Sequence, residues 1–142
     1  MTLKLHLSPL AEADIDDILL ASITDFGLAV SDGYAALIRT ALLEIVADPE
    51  HPGSHPRPEL GRGIRAVPLR ISRDRVGEES RRILAPAHVV FYRAIGDTVH
   101  VSRVLHEARD FSRHSFPRDA DAAAPPPLAD GRLRGLADPL RA

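Results

Sequence analysis

The sequence predicts an α+β domain of two layers, in which an N-terminal strand and an αα-hairpin pack on a small antiparallel β-sheet. Two consecutive stretches, 9–26 and 30–47, repeat apolar residues at helical spacing, and a strand-like run precedes them. A later apolar segment, His88 to Leu105, turns at Gly96-Asp97 as a β-hairpin does, and another strand-like run precedes it. The predicted order is therefore β-α-α-β-β-β.

The first strand and helix have clear boundaries. Leu3–Leu7 alternates leucine with polar residues, as a strand with one buried face does. Ser8 is a helix N-cap and Pro9 fits the first helical position, where its missing N–H removes no hydrogen bond. Gly27 is a natural end for the helix. Three aspartates near its start are expected on a solvated face: Asp14, Asp16 and Asp17.

The second helix is predicted over Val30 to Ala47, with Ser31 or Asp32 as its cap and Asp48-Pro49 as its end. Residues 49–63 hold four prolines and three glycines, which predicts an irregular surface connector. His51, His55 and Glu59 lie in it at a spacing that matches no established metal site, so no metal is expected.

The remaining strands are predicted from apolar runs. Ile64 to Ile71 reads as a strand, and Pro68 places it at an edge or a bulge because proline lacks a ladder donor. The polar, arginine-rich residues 72–86 are expected to form a long mobile loop. In the hairpin, Gly96-Asp97 has the composition of a two-residue II′ turn. Its strands are the most apolar, so we expect them at the centre of the sheet.

Composition excludes several classes of protein. There is no Cys, which excludes disulfides, thiolate metal sites and cysteine nucleophiles. The first seven residues are too short and polar for a signal peptide, and no apolar run approaches the roughly 18 residues of a membrane span. We therefore expect a cytoplasmic protein without a membrane partner.

Charge is distributed unevenly along the chain. Residues 1–56 carry a net charge of −7, residues 57–118 carry +6, and residues 119–142 carry −1. Arginine supplies nearly all the positive charge, and it suits bidentate contacts with carboxylates or phosphates. The two halves either pair with each other or receive an acidic partner. The Pro- and Ala-rich composition after Phe116 predicts one domain over 1–118 and a disordered or loosely docked tail over 119–142.

Four motifs in order resemble the ParE branch of the RelE/ParE toxin superfamily, the toxin halves of bacterial type II toxin–antitoxin modules. They are L-S-P-L-A-E-A-D-I-D-D-I (Leu7 to Ile18), G-x-R (Gly63 to Arg65), F-Y-R (Phe91 to Arg93) and R-V-L-H-E-A-R-D-x-x-R-H (Arg103 to His114). The last is the most specific. The 72–86 insert and the extension past Phe116 depart from the family pattern.

The resemblance leaves two activities to be distinguished. RelE-like toxins look like ribosome-dependent mRNA endonucleases, which need a base, an acid and a cation for the phosphorane. Two of their basic positions fall near Val89 and Glu107, and neither side chain stabilises a phosphorane. The nuclease remains the alternative, with His106, Arg109 and Arg65 converging at the end of the sheet.

ParE-like toxins are associated with inhibition of DNA gyrase through protein contacts. The resemblance therefore implies a toxin that acts by binding, with no cofactor or metal, and a cognate antitoxin that lays an acidic, apolar segment on it. Nucleic acid would be contacted only indirectly. A third alternative is an inactive toxin fold that only binds an antitoxin-like protein. Arg103, Arg109 and Asp110 are expected to form a network that pins the chain end to the sheet. The residues expected to bind a partner are Arg65, Arg93, Arg103, His106, Arg109 and Asp110.

Overall fold

The computed structural model describes residues 3–77, 80–108 and 116, and it confirms the α+β fold with two helices on a five-stranded sheet. The helices are α1 (Pro9–Phe26) and α2 (Leu28–Ala47). The strands are β1 (Lys4–Leu7), β2 (His55–Pro56), β3 (Arg65–Pro68), β4 (His88–Ile95) and β5 (Thr98–His106). Short 3₁₀ segments cover Pro58–Leu60 and Leu69–Arg75.

The strand order is β1-β5-β4-β3-β2, which places the hairpin β4–β5 inside the sheet as predicted. β1 pairs with β5 in parallel, whereas the other neighbouring strands are antiparallel, so the sheet is mixed. Gly96 has a φ of 59° and Asp97 does not have a positive φ, as a II′ turn requires. The antiparallel register therefore begins at the turn.

The start of α1 follows the predicted capping. The Ser8 side chain accepts the Ala11 N–H at 3.0 Å. Gly27, with a φ of 92°, ends α1 and caps α2, which begins at Leu28 rather than Val30. The prediction that Ser31 or Asp32 caps α2 was therefore wrong. Both residues lie inside the helix, and Ser31 Oγ donates to the Leu19 carbonyl instead, which links the two helices.

Both faces of the sheet bury apolar side chains, which is why β4 is apolar along its length instead of alternating. The face under the helices carries the larger cluster, which includes Ile15, Leu37, Leu42, Val90 and Tyr92. A second cluster lies on the opposite face and contains Ile64, Ala66, Val89, Phe91 and Leu105, with Phe116 packed against it. The rings of Phe91 and Phe116 lie 5.1 Å apart, edge to face.

The strand predicted over Ile64 to Ile71 was too long. β3 ends at Pro68, because proline cannot continue the ladder, and the chain turns into a 3₁₀ segment. The edge placement of Pro68 is confirmed, since β2 pairs only with Arg65 and Ala66. The connector over 49–63 is also less irregular than predicted, because it contains β2 and a 3₁₀ turn.

The described residues of 72–86 pack on α2 rather than forming the loose loop that was predicted. Val76 and Ile83 lie against the helix-facing cluster, and a Cβ on Gly33 would clash with the carbonyl oxygen of Arg81. Arg75 and Ser72 both donate to the Glu44 carboxylate on α2. Burial opposes ionisation of Glu44, but these hydrogen bonds outweigh it and hold its pKa below the usual 4.5. No helix within the described residues is both long and apolar enough to cross a membrane.

Candidate partner-binding site at the end of the hairpin

The outer edge of β5 extends beyond β1 and is capped by residues from the start of α1. β1 ends where Leu7 faces Val101. The Ser8 N–H then donates to the Val101 carbonyl at 3.0 Å, and Ser8 Oγ donates to the Ser102 carbonyl at 2.8 Å. Each of these contacts satisfies a backbone group that a strand edge would leave open. The start of α1 is thereby held against the end of β5.

Arg103 and Asp14 form the strongest polar contact of this edge. Arg103 donates from Nε to Asp14 Oδ2 at 2.8 Å and from Nη2 to Oδ1 at 2.9 Å. Oδ2 also accepts the Val104 N–H at 3.0 Å. Both side chains are only 13% exposed, so this bidentate ion pair is shielded from most of the solvent but not from all of it. The prediction of a solvated face was therefore wrong for Asp14. Next to Arg103, a β-bulge at Phe91/Tyr92 shifts the register between β4 and β5.

Two histidines face each other across the last pair of the hairpin. His88 pairs with His106, and their rings lie 5.2 Å apart, edge to face. His88 Nδ1 contacts the Tyr34 hydroxyl at 2.6 Å, and that hydroxyl accepts the Ala87 N–H at 3.2 Å. Burial raises the pKa of the Tyr34 phenol, so the hydroxyl keeps its proton, and the tautomer of His88 determines which of the two groups donates.

These residues surround a small pocket of about 220 Å³, here called the hairpin pocket. Its polar lining consists of Asp14, Asp17, His88, Arg103 and His106. His106 is exposed, and its Nδ1 accepts the Ala108 N–H at 3.0 Å. The hairpin pocket therefore combines two carboxylates, two imidazoles and one guanidinium.

A second polar network lies at the other side of the sheet. Arg65 donates from Nε to Ser54 Oγ at 2.8 Å and from Nη2 to the Ser54 carbonyl at 3.2 Å. Ser54 Oγ is 2.5 Å from the Tyr92 hydroxyl, which also donates to the Pro49 carbonyl. Burial raises the pKa of Tyr92, so the phenol remains a donor. Arg65 lines a groove of about 260 Å³ here, together with Pro56 and neighbouring residues, which we call the edge groove.

Arg93, which is buried, and Glu107, which is exposed, are each bonded to a neighbouring segment. Arg93 is 8% exposed, and its Nε donates to the Arg62 carbonyl at 2.8 Å. Glu107 forms an ion pair with Arg70, and its N–H donates to the Ala87 carbonyl at 2.7 Å. Both side chains therefore brace loops against the hairpin.

The predicted site residues do not form one cluster. Arg103 and His106 line the hairpin pocket, Arg65 lines the edge groove, and Arg93 lies in neither. Arg109 and Asp110 lie outside the described residues, and so does the predicted network of Arg103 with them. Arg65 lies opposite Tyr92, and His106 lies opposite His88. Tyr92 and His88 are four residues apart on β4, so Arg65 and His106 are separated by about 13 Å along the strand direction.

Sequence reasoning missed three residues of the hairpin pocket and its surroundings. Asp14 was assigned to solvent, and His88 and Tyr34 were not considered. Only Tyr34 gave a usable signal, because a buried tyrosine hydroxyl needs a hydrogen-bond partner. Counting the register outwards from Gly96-Asp97 would place His88 opposite Leu105, and the β-bulge at Phe91/Tyr92 is what brings it opposite His106 instead.

The hairpin pocket can bind charged groups, but its guanidinium group is already paired with a carboxylate. Arg103 is the only arginine among the described residues that line the hairpin pocket, and Asp14 holds it through both oxygens. Across residues 3–77, 80–108 and 116, no group of three His, Asp or Glu side chains is placed to bind a metal ion.

Comparison with known proteins agrees with the fold. Residues 5–111 match the model of the family described as the ParE toxin of the type II toxin–antitoxin system parDE. The matched segment runs from the second residue of β1 to beyond the end of β5. The chain is also 34% identical over 110 residues to Toxin ParE1 of Caulobacter vibrioides, which covers 77% of this chain and 94% of that protein.

Proposed function

The chain belongs to the ParE toxin family of type II toxin–antitoxin systems, and from this premise we propose that it inhibits growth by binding DNA gyrase rather than by cleaving RNA. Its family implies an antitoxin as partner, and we propose that this antitoxin neutralises it. The proposed site of action is the cytoplasm. We further propose that residues 1–118 form the toxin domain and that 119–142 are a separate tail.

The observation that carries the proposal is the ion pair of Arg103 with Asp14. A nuclease needs a cation that is free to stabilise a phosphorane. Among the described residues, Arg103 is the arginine that lines the hairpin pocket with the histidine pair, and its guanidinium is occupied by a carboxylate that is 13% exposed. A phosphate at Arg103 would also have to displace Asp14 from the Val104 N–H. The ion pair therefore supports inhibition by binding over RNA cleavage.

Two further positions support the same proposal. Val89, near one of the basic positions of RelE-like toxins, is 7% exposed and belongs to the second apolar cluster. Glu107, near the other, carries a negative charge and pairs with Arg70. Neither residue offers a cation to a phosphate.

We propose the edge groove as the place where the antitoxin segment binds. β2 pairs with Arg65 and Ala66 and is itself the outermost strand, so an added segment would lie along the outer side of this two-residue strand. Arg62 is exposed beside it, and Arg57 borders the same loop. An acidic segment with apolar side chains would complement the Arg62 and Arg65 guanidinium groups and pack on the exposed Pro56 and Pro58 side chains.

Two assays on the purified protein test the proposal. A ParE-type inhibitor blocks DNA supercoiling by purified gyrase and leaves mRNA on translating ribosomes intact. Cleavage of that mRNA by the wild type but not by His106→Ala would overturn the proposal and favour an endonuclease. The endonuclease is the second candidate because His106 and His88 lie together in the hairpin pocket. Failure of the protein to arrest growth in cells without antitoxin would favour the inactive binding module.

The antitoxin site has a separate test. Arg65→Ala should weaken antitoxin binding by about tenfold or more, the effect of losing one desolvated charge contact. Lys4→Ala is the matched control, because Lys4 is exposed on β1 at the opposite edge of the sheet. Equal affinity of both variants in a titration calorimeter would contradict the placement.

A further inference from the structure

A ridge of large apolar side chains is exposed at the tip of the αα-hairpin. Leu20 is 64% exposed, Ile23 44%, Phe26 72% and Leu28 64%. The first three follow one another at a spacing of three residues along α1, so they are neighbours on the helix surface, and Leu28 begins α2 directly after the turn. We call these four residues the tip ridge. Contiguous apolar patches of this kind mark interaction sites.

The fold does not need the tip ridge. None of the described side chains between Leu20 and Gly33 belongs to either apolar cluster. The tip is instead held by the turn at Gly27 and by the hydrogen bond from Ser31 Oγ to the Leu19 carbonyl at 3.0 Å. The ridge is therefore free to serve a partner without a loss of stability.

Acidic residues flank the tip ridge on both helices. Asp17 lies one turn before Leu20, Asp32 lies one turn after Leu28, and Asp25 precedes Phe26. All three aspartates are exposed, and none forms an ion pair with another described residue. The sequence has no Lys or Arg between Lys4 and Arg39, so the αα-hairpin tip itself carries no basic residue; the nearby basic residues come from other segments, Arg103 in the pocket with Asp17 and Arg81 beside Gly33.

The negative charge of the three aspartates determines which kind of partner can bind the tip ridge. Anionic lipid headgroups would be repelled by the three carboxylates. A second copy related by a two-fold axis would bring the same aspartates together across the contact. The acidic antitoxin segment proposed above would be repelled in the same way. A protein surface with an apolar groove bordered by Lys or Arg fits both the ridge and its charge.

We propose that the tip ridge is the surface with which the toxin docks on its target protein, in an apolar groove bordered by basic residues. This inference rests on the proposed function, since it assigns a surface to the inhibition of gyrase. It separates the target surface at the hairpin tip from the antitoxin surface at the edge groove.

The test uses the full chain carrying Phe26→Ser and Leu28→Ser together, with purified gyrase. Because both side chains are exposed, the variant should keep the wild-type melting temperature and antitoxin affinity. Its half-inhibitory concentration for supercoiling should rise at least tenfold. Leu43→Ser is the matched control, since Leu43 is a 47% exposed leucine of α2 away from the tip, and it should inhibit like the wild type.

A second variant tests the charge. Asp17→Asn, Asp25→Asn and Asp32→Asn combined should weaken inhibition and make it less sensitive to salt, because the attraction to basic groups is removed. Unchanged potency of the ridge variant would overturn the inference. So would an equal loss of antitoxin affinity, or a wild-type dimer in sedimentation that Phe26→Ser and Leu28→Ser disperse.

Failure of the proposed function gives a different pattern. If the wild type does not inhibit gyrase, growth arrest in cells without antitoxin is measured instead of supercoiling. Loss of arrest in the ridge variant then supports the tip as the surface for another target, and equal arrest by both proteins overturns the inference. A wild type that does not arrest growth overturns both proposals.

Discussion

Replacement of Asp14 by alanine is expected to destabilise the fold, because Asp14 holds both Arg103 and the backbone of β5. The substitution removes both acceptors of the Arg103 guanidinium and the acceptor of the Val104 N–H. Breaking a buried ion pair costs about 3–5 kcal/mol. Because both side chains are 13% exposed, water reaches the site in part, so we expect about 3 kcal/mol, which lowers the melting temperature by roughly 10 °C.

Urea denaturation followed by circular dichroism measures this loss. Asp14→Asn keeps an acceptor for the Val104 N–H but not the charge, so it should lose about 1–2 kcal/mol. Asp17→Ala is the control, since Asp17 is exposed on the next part of the same helix, and it should stay within about 0.5 kcal/mol of the wild type. If Asp14→Ala loses less than about 1 kcal/mol, the pair behaves as an ordinary surface salt bridge and the reasoning is refuted.

Three other predictions concern packing and titration. The pKa of Glu44 is lowered in the folded state, so ionised Glu44 stabilises the fold at pH values above its usual pKa of 4.5. This contribution is lost as the pH falls below 4.5. The difference in the free energy of unfolding between the wild type and Glu44→Gln should therefore disappear in acid. Tyr92→Phe removes the hydroxyl shared with Ser54 and should lose about 1–2 kcal/mol in urea denaturation. Gly33→Ala should lose about 1–3 kcal/mol despite alanine's better helix propensity, because the methyl group meets the Arg81 carbonyl; a more stable Gly33→Ala would show that 72–86 does not pack on α2.

Local chemistry was enough to predict most elements of the fold. The Ser8-Pro9 start of α1, the end of α2 before Pro49 and the hairpin about Gly96-Asp97 all follow from single residues with defined conformational preferences. The parallel pairing of β1 with β5 did not follow, because a strand's pattern specifies its buried face and not its neighbour.

The site was harder to predict because its contacts are distant in sequence. Arg103 and Asp14 are 89 residues apart, and nothing in the helical spacing of α1 distinguishes Asp14 from the exposed Asp17. The packing of 72–86 was hidden for the same reason, since its polar arginines bind Glu44 and backbone carbonyls through contacts that only the fold creates. Family resemblance supplied the biological class, which packing and patterning alone do not give.

The most direct test of inhibition by binding is the stoichiometry of the purified toxin's effect. We predict that gyrase supercoiling is blocked only as the toxin concentration approaches that of the enzyme, and that added antitoxin restores it. Wild-type toxin and His106→Ala should both leave ribosome-bound mRNA intact. Cleavage of excess mRNA by a small fraction of one equivalent of toxin, abolished in His106→Ala and with gyrase unaffected, would contradict this prediction.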